Sequence, residues 1–270
     1  MTRILKILFL IFNSRVPQFS KFSLFWNFLI LKFKLIGRSN SPIKTRLFGK
    51  EIWGLDLSTL QYLYSEIFLK GEYNFKTNTK SPLIIDCGSN IGLGIFFFKI
   101  LYPNSRIVGF EANPKVFSIL EKNVSQFGLE EISVKNLALY DKNSEISFFT
   151  GNSEDNLIGS IHGQRGGQYE VKVKAVKLSD YLQSYEEIDL IKMDVEGAEW
   201  KILSDLFEAN AIRKVRQYLI EVHLNIPGME EKLSDFLAYF EKSGFTYNVR
   251  AENYSPGQFQ DVLVHCIRKD

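Results

Sequence analysis

Cysteine is scarce in this chain, with only Cys87 and Cys266 among 270 residues. Two cysteines provide neither a disulfide framework nor a cysteine-rich zinc site. Both lie inside apolar segments that are typical of buried strands, so we predict two reduced core thiols. This usage indicates a reducing compartment and predicts a cytoplasmic location.

Long apolar runs are also missing. The two apolar clusters, residues 7–12 and 24–31, are shorter than the roughly 20 residues that a membrane-spanning helix needs. No small-residue cleavage site follows Phe12, which argues against a secretory signal. The sequence therefore predicts no bilayer-spanning helix, while Arg3 and Lys6 before an apolar run match a secretory signal in outline only.

Acidic residues are absent from residues 1–50, which hold ten Lys or Arg. The other 220 residues contain 23 of the 33 basic residues and all 31 acidic ones, so an extension of +10 precedes a body of −8. Cationic residues beside Phe, Trp and Leu are typical of a helix at the inner face of an anionic membrane. Packing of the extension on the body or on a second subunit is the alternative.

Strands and helices alternate in the rest of the chain at intervals typical of βαβ units. The predicted helices are 58–69, 92–101, 114–127, 198–208 and 230–243. The main strands are predicted at 83–87, 106–111, 132–136, 188–194, 218–223, 245–249 and 261–267, with further strands at 145–150 and 170–176. This order predicts an α/β fold with a doubly wound, mostly parallel seven-stranded sheet and an N-terminal helical extension. The predicted divisions are an extension over 1–50, a helical lead-in over 51–81 and a main domain over 82–270.

The dinucleotide fingerprint GxGxxG is absent, and a different glycine turn stands at the first main strand. Asp86, Gly88 and Gly92 form DxGxxxG, in which an acid ends the strand. Such an acid suits a ligand with an amino group and no phosphate, which describes S-adenosylmethionine better than NAD. Glu111 ends the next strand, where a carboxylate can accept both ribose hydroxyls.

Four chemically capable side chains fall at the carboxyl ends of predicted strands: Asp86, Glu111, Asp194 and His223. Parallel sheets gather their ligands at this edge, where the strand order reverses. We therefore predict a functional site there.

Five motifs, in this order, resemble the FkbM family of S-adenosylmethionine-dependent O-methyltransferases. They are Gly71-Glu72-Tyr73, IDCGSNIG (85–92), FEANP (110–114), NLALYD (136–141) and KMDVEGAE (192–199). The resemblance spans roughly the last 200 residues and implies a class I, Rossmann-like methyltransferase fold with S-adenosylmethionine as cofactor. It implies a cofactor site in which the turn binds the methionine part, Glu111 the ribose and the segment at Ala138 the adenine. The residues so assigned are Asp86, Gly88, Ser89, Asn90, Gly92, Glu111, Asn113, Ala138 and Asp194, although Asn113 before Pro114 could equally be a helix cap.

Methyl transfer to a hydroxyl requires a base near the transferred methyl group. His223 is the predicted base. It shares a strand face with Glu221 two residues earlier, and a neighbouring carboxylate is expected to orient it. Asp194 and Glu196, which share a face with Lys192 if the strand stays extended, are assigned to the cofactor amino group, to acceptor hydroxyls or to catalysis. Glu199 begins the next helix, where the helix dipole favours an acid without a catalytic role.

Metal ligands are the alternative role for these acids with His223, since oxygen ligands and one imidazole suit Mg²⁺ or Mn²⁺. We predict no metal, because no DxD or HxH ligand pair is present. His162 and His265 are predicted to be structural or solvated. The loop over 151–168 is a candidate lid.

The resemblance implies a hydroxyl acceptor, because members of the family methylate sugars and secondary metabolites. The basic extension favours a lipid-linked or surface glycan, and its Phe and Leu content suits lipid or protein better than nucleic acid. No Pro-Pro-Tyr type motif of base methyltransferases follows the strand that ends at Asp194. The alternatives are metal-assisted O-methylation or N-methylation of a small molecule, and a non-catalytic cofactor-binding scaffold at a membrane surface.

Overall fold

A computed structural model describes residues 3–12, 14, 16, 18–34, 42–151, 159–230, 232–251 and 258–269. Its helices are α1 (Arg3–Phe12), α2 (Lys21–Lys34), α3 (Leu57–Tyr64), α4 (Leu93–Leu101), α5 (Pro114–Phe127), α6 (Gly163–Gly166), α7 (Leu178–Leu182), α8 (Glu199–Glu208) and α9 (Leu233–Lys242). A π-helical segment, Ser65–Lys70, continues α3. The strands are β1 (Ile43–Leu47), β2 (Lys50–Gly54), β3 (Leu83–Cys87), β4 (Arg106–Phe110), β5 (Ile132–Lys135), β6 (Ala138–Tyr140), β7 (Ser144–Thr150), β8 (Gly159–Ser160), β9 (Tyr169–Lys177), β10 (Ile188–Met193), β11 (Val215–Leu224), β12 (Phe245–Ala251) and β13 (Gln260–Arg268).

Seven strands form the main sheet in the order β12-β13-β11-β10-β3-β4-β5. β13 runs antiparallel to both of its neighbours, and the pairs from β11 to β5 are parallel. The chain passes from β3 towards β4 on one side and from β10 towards β11 on the other. The strand order therefore reverses between β3 and β10, which confirms the predicted doubly wound α/β fold.

The central strands are buried on both faces. Ile84 packs into a core shared with α4 and α5, whereas Leu83 and Ile85 pack into a second core shared with α8 and α9. Strands covered on both faces are expected to be continuously apolar, and β3 has no exposed residue. Cys87 and Cys266 are buried free thiols, as predicted.

The described part of the extension packs on the body. Leu24, Phe28 and Leu31 of α2 and Ile11 of α1 are buried in the same core as α4. The buried hydroxyl of Tyr64 donates a hydrogen bond to the carbonyl of Leu24 at 2.7 Å. This is one of the two arrangements predicted for residues 1–50. Among the described residues, no helix has both the length and the apolar character needed to cross a bilayer.

A hairpin of β1 and β2 stands where the sequence predicted only helical segments, and it crosses the predicted division at residue 50. Its strands are short, and it joins no larger sheet among the described strands. Phe48 and Gly49 turn the chain with positive φ of 48° and 80°. Asn123 of α5 holds β2 by accepting from the Trp53 N–H at 2.7 Å and donating to its carbonyl at 2.9 Å. The hairpin is therefore stabilised by a tertiary contact with α5, and not by the strand propensity of its own residues alone.

A second sheet, in the order β6-β9-β7-β8, follows β5 in the chain. β7 and β9 were predicted as strands outside the main sheet, whereas β6, β8 and α6 were not predicted. β8 and α6 lie within the predicted loop over 151–168, of which residues 152–158 are outside the described residues. Other boundaries also differ from the prediction: β10 ends at Met193, α9 begins at Leu233, and β11 already begins at Val215.

Candidate active site

The glycine turn after β3 is shaped by close backbone contacts. Gly88 has φ of +80°, and a Cβ there would lie 1.8 Å from the carbonyl oxygen of Asp194. Gly92 has φ of +89° at the start of α4, and its Cβ would lie 2.8 Å from Leu120. At Gly88 any Cβ would clash with the backbone, whereas at Gly92 the near atom is the movable end of the Leu120 side chain and the positive φ is what favours glycine.

Asp86 is fully buried at the end of β3. Its nearest charge is the Lys192 ammonium, 3.4 Å from Oδ1, and neither carboxylate oxygen has a hydrogen-bond partner among the described residues. Burial raises the pKa of Asp86, while Lys192 opposes that shift. Ser89 donates to the Asp86 carbonyl at 3.0 Å and so braces the turn.

Glu111 follows β4 and receives two backbone hydrogen bonds. The N–H groups of Asn90 and Asn113 donate to its two oxygens at 2.9 and 2.8 Å. Burial raises the pKa of Glu111 to about 7, although these two donors favour its ionised form. A carboxylate has further lone pairs, so each oxygen can also accept from a ligand hydroxyl.

A crevice of 70 Å³ opens beside Glu111, at the carboxyl ends of β3, β4 and β10. Of the predicted cofactor residues, it brings together Gly88, Asn90, Glu111, Ala138 and Asp194. Its apolar wall includes Phe110, Leu139, Phe148 and Ile161. An acid thus stands beside an apolar slot, in a space that is smaller than the about 300–1,000 Å³ usual for small-molecule sites.

Four predicted cofactor residues do not line this crevice: Asp86, Ser89, Gly92 and Asn113. Asn113 uses its side-chain oxygen to cap α5, accepting from the N–H groups of Lys115 at 3.0 Å and Val116 at 3.4 Å. That contact accounts for Asn113 without a cofactor. Asp86 lies behind Lys192 and does not line the crevice, whereas Asp194 does. Asp194 is therefore the carboxylate that a ligand amino group would meet first.

His223, near the end of β11, is buried and oriented by Glu199. Its Nδ1 lies 2.8 Å from Glu199 Oε1, which also accepts from the N–H groups of Val195 and Gly197 at 3.2 and 3.1 Å. A neighbouring carboxylate was expected to orient this ring. The carboxylate in contact with Nδ1 is Glu199, the first residue of α8, and not Glu221, which was predicted to share the strand face with His223.

The other ring nitrogen of His223 faces carboxylates. Its Nε2 lies 3.3 Å from Glu196, 3.8 Å from Asp194 and 3.9 Å from Asp261. Burial opposes a positive charge on the ring, but Glu199, Glu196 and Asp194 together raise the pKa of His223 well above its usual value. These carboxylates therefore favour the protonated, cationic form of the imidazole.

Glu196 does not share an extended strand with Asp194, because β10 ends at Met193 and Glu196 has φ of +57°. This left-handed conformation turns its side chain towards Arg165, which donates from Nε and Nη2 to Oε2 at 2.8 and 2.6 Å. The Arg165 guanidinium also stacks 4.1 Å from the centre of the Phe259 ring. Arg165 lies in the predicted lid segment, and no pattern in the sequence indicates this contact.

A larger cavity of 380 Å³ adjoins the crevice and shares Asn90, Asp194 and Glu196 with it. Tyr73, from the Gly-Glu-Tyr motif, lines this cavity and points its hydroxyl at Asp194 Oδ2, 3.4 Å away. No role was predicted for Tyr73 beyond its place in the motif. The volume of the cavity, 380 Å³, is within the range of about 300–1,000 Å³ that is usual for small-molecule sites.

Two overlapping groups of side chains could hold a divalent cation: Asp194, Glu196 and His223, and Glu221, His223 and Asp261. Within each group, one ligand atom per residue lies within 4.8 Å of the others. The bond from His223 to Glu199 is the support that metal-bound histidines commonly have. Metal independence stays a prediction.

The two remaining histidines lie apart from this chemistry. The His162 ring packs against Gly197, where a Cβ would lie 2.9 Å from it. His265 sits on β13 with Nε2 3.2 Å from Gln217, and burial lowers its pKa. Both positions are compatible with packing roles.

Residues 86–247 match the family described as the methyltransferase FkbM domain. Methyltransferase sdnD of Sordaria araneosa is 27% identical over 241 residues, covering 78% of this chain and 90% of the relative. The 31-O-demethyl-FK506 methyltransferase FkbM of Streptomyces tacrolimicus is 25% identical over 230 residues, covering 73% and 86%. The 2-O-methyltransferase NoeI of Sinorhizobium fredii is 28% identical over 139 residues, covering 46% and 56%. Because the family match extends over more than half of the chain and includes the glycine turn, Glu111 and the His223 site, this chain belongs to the FkbM methyltransferase family.

Proposed function

We propose that this methyltransferase transfers the methyl group of S-adenosylmethionine to a hydroxyl oxygen of a saccharide or glycan precursor. The observation that carries the proposal is the contact between Glu199 and His223 Nδ1. The other ring nitrogen, Nε2, faces Asp194 and Glu196, which line both the crevice and the larger cavity. Two of the relatives above carry O-methyl transfer in their names, which supports oxygen as the acceptor atom.

The crevice residues fit the cofactor. Glu111 presents a carboxylate for two ribose hydroxyls, and the apolar slot at Ala138 suits adenine. Asp194, which lines the crevice, suits an ammonium group near the glycine turn, whereas Asp86 is already paired with the Lys192 ammonium at 3.4 Å. S-adenosylmethionine, when bound, supplies a methyl group activated by a sulfonium.

The larger cavity suits an acceptor rich in hydroxyls. Carboxyl, hydroxyl and guanidinium groups line it, and each can exchange hydrogen bonds with sugar hydroxyls. They include Ser58, Thr59, Glu72, Arg165, Glu221 and Asp261. Asn90, Asp194 and Glu196 belong to both cavities, so an acceptor held here would meet the cofactor at these residues.

His223 is the proposed base. Its Nε2 would take the proton of the acceptor hydroxyl, and Glu199 would stabilise the imidazolium that forms. The ring must first lose the proton that its raised pKa retains at neutral pH. A positive charge bound beside the ring lowers that pKa, so cofactor binding favours the neutral, basic form. The rate of transfer should therefore rise with pH through the pKa of His223.

The test uses methyl-¹³C-labelled S-adenosylmethionine with a panel of monosaccharides, glycolipids and small amines. We expect the label on an acceptor oxygen, located by NMR, and a rate at least about 100-fold lower in His223→Ala with cofactor affinity nearly unchanged. His265→Gln, on another part of the sheet, is the matched control and should keep full activity. A label on nitrogen, or full activity in His223→Ala, would contradict the proposal.

A second candidate, metal-assisted O-methylation, is favoured by the two groups of ligand-type side chains around His223. A cation there would lower the pKa of the acceptor hydroxyl directly, and His223 would be a ligand and not a base. Loss of activity in EDTA with recovery in Mg²⁺ or Mn²⁺ would support this candidate. Equal rates with and without EDTA would leave His223 as the base.

A further inference from the structure

Five large aromatic side chains of α1 and α2 are exposed to solvent. We name this set the aromatic surface: Phe9 (60% exposed), Phe12 (63%), Phe22 (75%), Trp26 (55%) and Phe33 (65%). We propose that the aromatic surface docks on an anionic lipid bilayer and holds the enzyme at the membrane without crossing it.

Three members of the aromatic surface lie on one face of α2, whose opposite face packs on the body. Residues 22, 26 and 33 of α2 fall on one side at helical spacing, and the buried residues 24, 28 and 31 fall on the opposite side. The Asn27 side chain accepts from the Phe48 N–H at 2.8 Å and fixes α2 to the hairpin. The exposed aromatics are therefore presented outward by a helix whose apolar side is already buried.

The chemistry of this surface matches the interface of a bilayer. Aromatic side chains bury large apolar areas at the headgroup level, and neighbouring lysines pair with anionic lipids. Lys21 lies 5.7 Å from the centre of the Phe12 ring, and Phe22 stacks on Trp26 with ring centres 6.4 Å apart. Cationic and aromatic groups are thus interleaved on the two helices.

Charge distinguishes lipid from a second copy of the chain as the occupant. Residues 1–50 carry ten basic residues and no acidic ones. Two such extensions placed face to face would repel each other, whereas an anionic bilayer would attract each of them. Charge complementarity therefore selects the bilayer.

The same helices also reach the site. Another cavity, of 590 Å³, is lined by Ile7 and Leu10 of α1 and Phe28 of α2. It shares Glu72 and Asp261 with the 380 Å³ cavity proposed to bind the acceptor, which we call the acceptor cavity. The helices that carry the aromatic surface thus form an apolar wall beside the acceptor site. If the proposed function holds, this arrangement suits an acceptor that joins a saccharide to a hydrocarbon chain.

The experiment measures sedimentation of the full chain with phosphatidylcholine vesicles and with vesicles that also contain phosphatidylglycerol. We expect at least about tenfold stronger binding to the anionic vesicles, weakened by salt. The triple variant Phe22→Ser, Trp26→Ser, Phe33→Ser should lose at least about tenfold of that binding. The control variant Val249→Thr, Ile267→Thr removes exposed apolar groups from β12 and β13 and should bind as the wild type does.

Three outcomes would overturn the docking proposal. The first is equal binding by the triple variant and the wild type, with both shown to be folded by circular dichroism. The second is equal binding to neutral and anionic vesicles. The third is a wild-type dimer in solution that the triple variant abolishes, which would assign the aromatic surface to a second copy. None of these measurements depends on turnover, so failure here is distinct from failure of the proposed reaction.

Discussion

Glu111 combines burial with two backbone hydrogen bonds, and these act in opposite directions on its charge. Burial dominates and raises its pKa to about 7, so the carboxyl changes its charge within the physiological range. Its ionised form offers the most acceptor sites to ligand hydroxyls. Ribose recognition by this residue should therefore depend on pH.

We expect the affinity for S-adenosylmethionine to fall by about tenfold between pH 8 and pH 6, because the binding-competent carboxylate is protonated over that range. Calorimetric titration at several pH values measures this change. Glu111→Gln should bind weakly at pH 8 and show a flatter pH profile, with its fold checked by circular dichroism. Equal wild-type affinity at pH 6 and pH 8 would contradict the assignment of Glu111 to the ribose.

The residue scale also shows where sequence reasoning reached the site and where it stopped. Asp194 and His223 were predicted because both lie at the carboxyl ends of buried strands, and parallel strands end at one edge of the sheet. Glu199 was predicted to interact with the helix dipole or to be a metal ligand, and not to orient His223, since that contact depends on how α8 packs against β11. Strand periodicity predicts the face of the sheet on which a side chain lies, but it does not identify the side chain that it contacts.

At the scale of elements, the hairpin β1–β2 depends on α5. Asn123 bonds to the N–H and carbonyl of Trp53 and donates to the Ile91 carbonyl at 2.7 Å. One buried amide thus joins the hairpin, α5 and the glycine turn. The hairpin was not predicted because this support comes from 70 residues further along the chain.

Asn123→Ala should lower the free energy of unfolding by about 2–4 kcal/mol, because it leaves buried backbone groups unpaired. Urea denaturation followed by fluorescence measures the loss. Asn104→Ala, at an exposed turn, is the control and should change stability by less than about 0.5 kcal/mol. An equally small effect at Asn123 would show that the hairpin is held by its apolar contacts alone.

At the scale of the whole molecule, an acidic body gathers carboxyl groups around the acceptor cavity. Burial, with help from Glu66, raises the pKa of Glu72 to about 8. Burial, with help from Asp194, raises the pKa of Glu221 to about 9. The folded protein therefore holds protons that the unfolded chain has already released.

Stability should consequently fall as the pH rises from 6 to 9. The pKa of a glutamate carboxyl is 4.5 in the unfolded chain and is raised to about 9 for Glu221 in the folded protein. The stabilisation from such a group is complete below the unfolded-state pKa and is lost as the pH rises through the folded-state pKa. The raised pKa of His223 acts in the same direction. Thermal melts should show a fall in Tm of roughly 2–4 °C for each kcal/mol lost.

The double variant Glu72→Gln, Glu221→Gln removes two of these titrations and should flatten the dependence of Tm on pH. Glu145→Gln, a surface change on β7, should leave it as in the wild type. A wild-type Tm that is constant or rises between pH 6 and pH 9 would show that the cavity carboxyls are ionised in the folded protein.

The presence of the seven-stranded sheet, the glycine turn and the sheet edge at which the site lies could all be predicted from the sequence. These features follow from local periodicity, from glycines that only a tight turn requires, and from the rule that parallel strands end together. Which side chains contact each other in the site depends on how the elements pack. Glu199 orients His223, Arg165 pairs with Glu196, and α1 and α2 bury one side while exposing the other. Each of these contacts joins residues that are distant in the chain or on different elements, and only packing determines which of them meet.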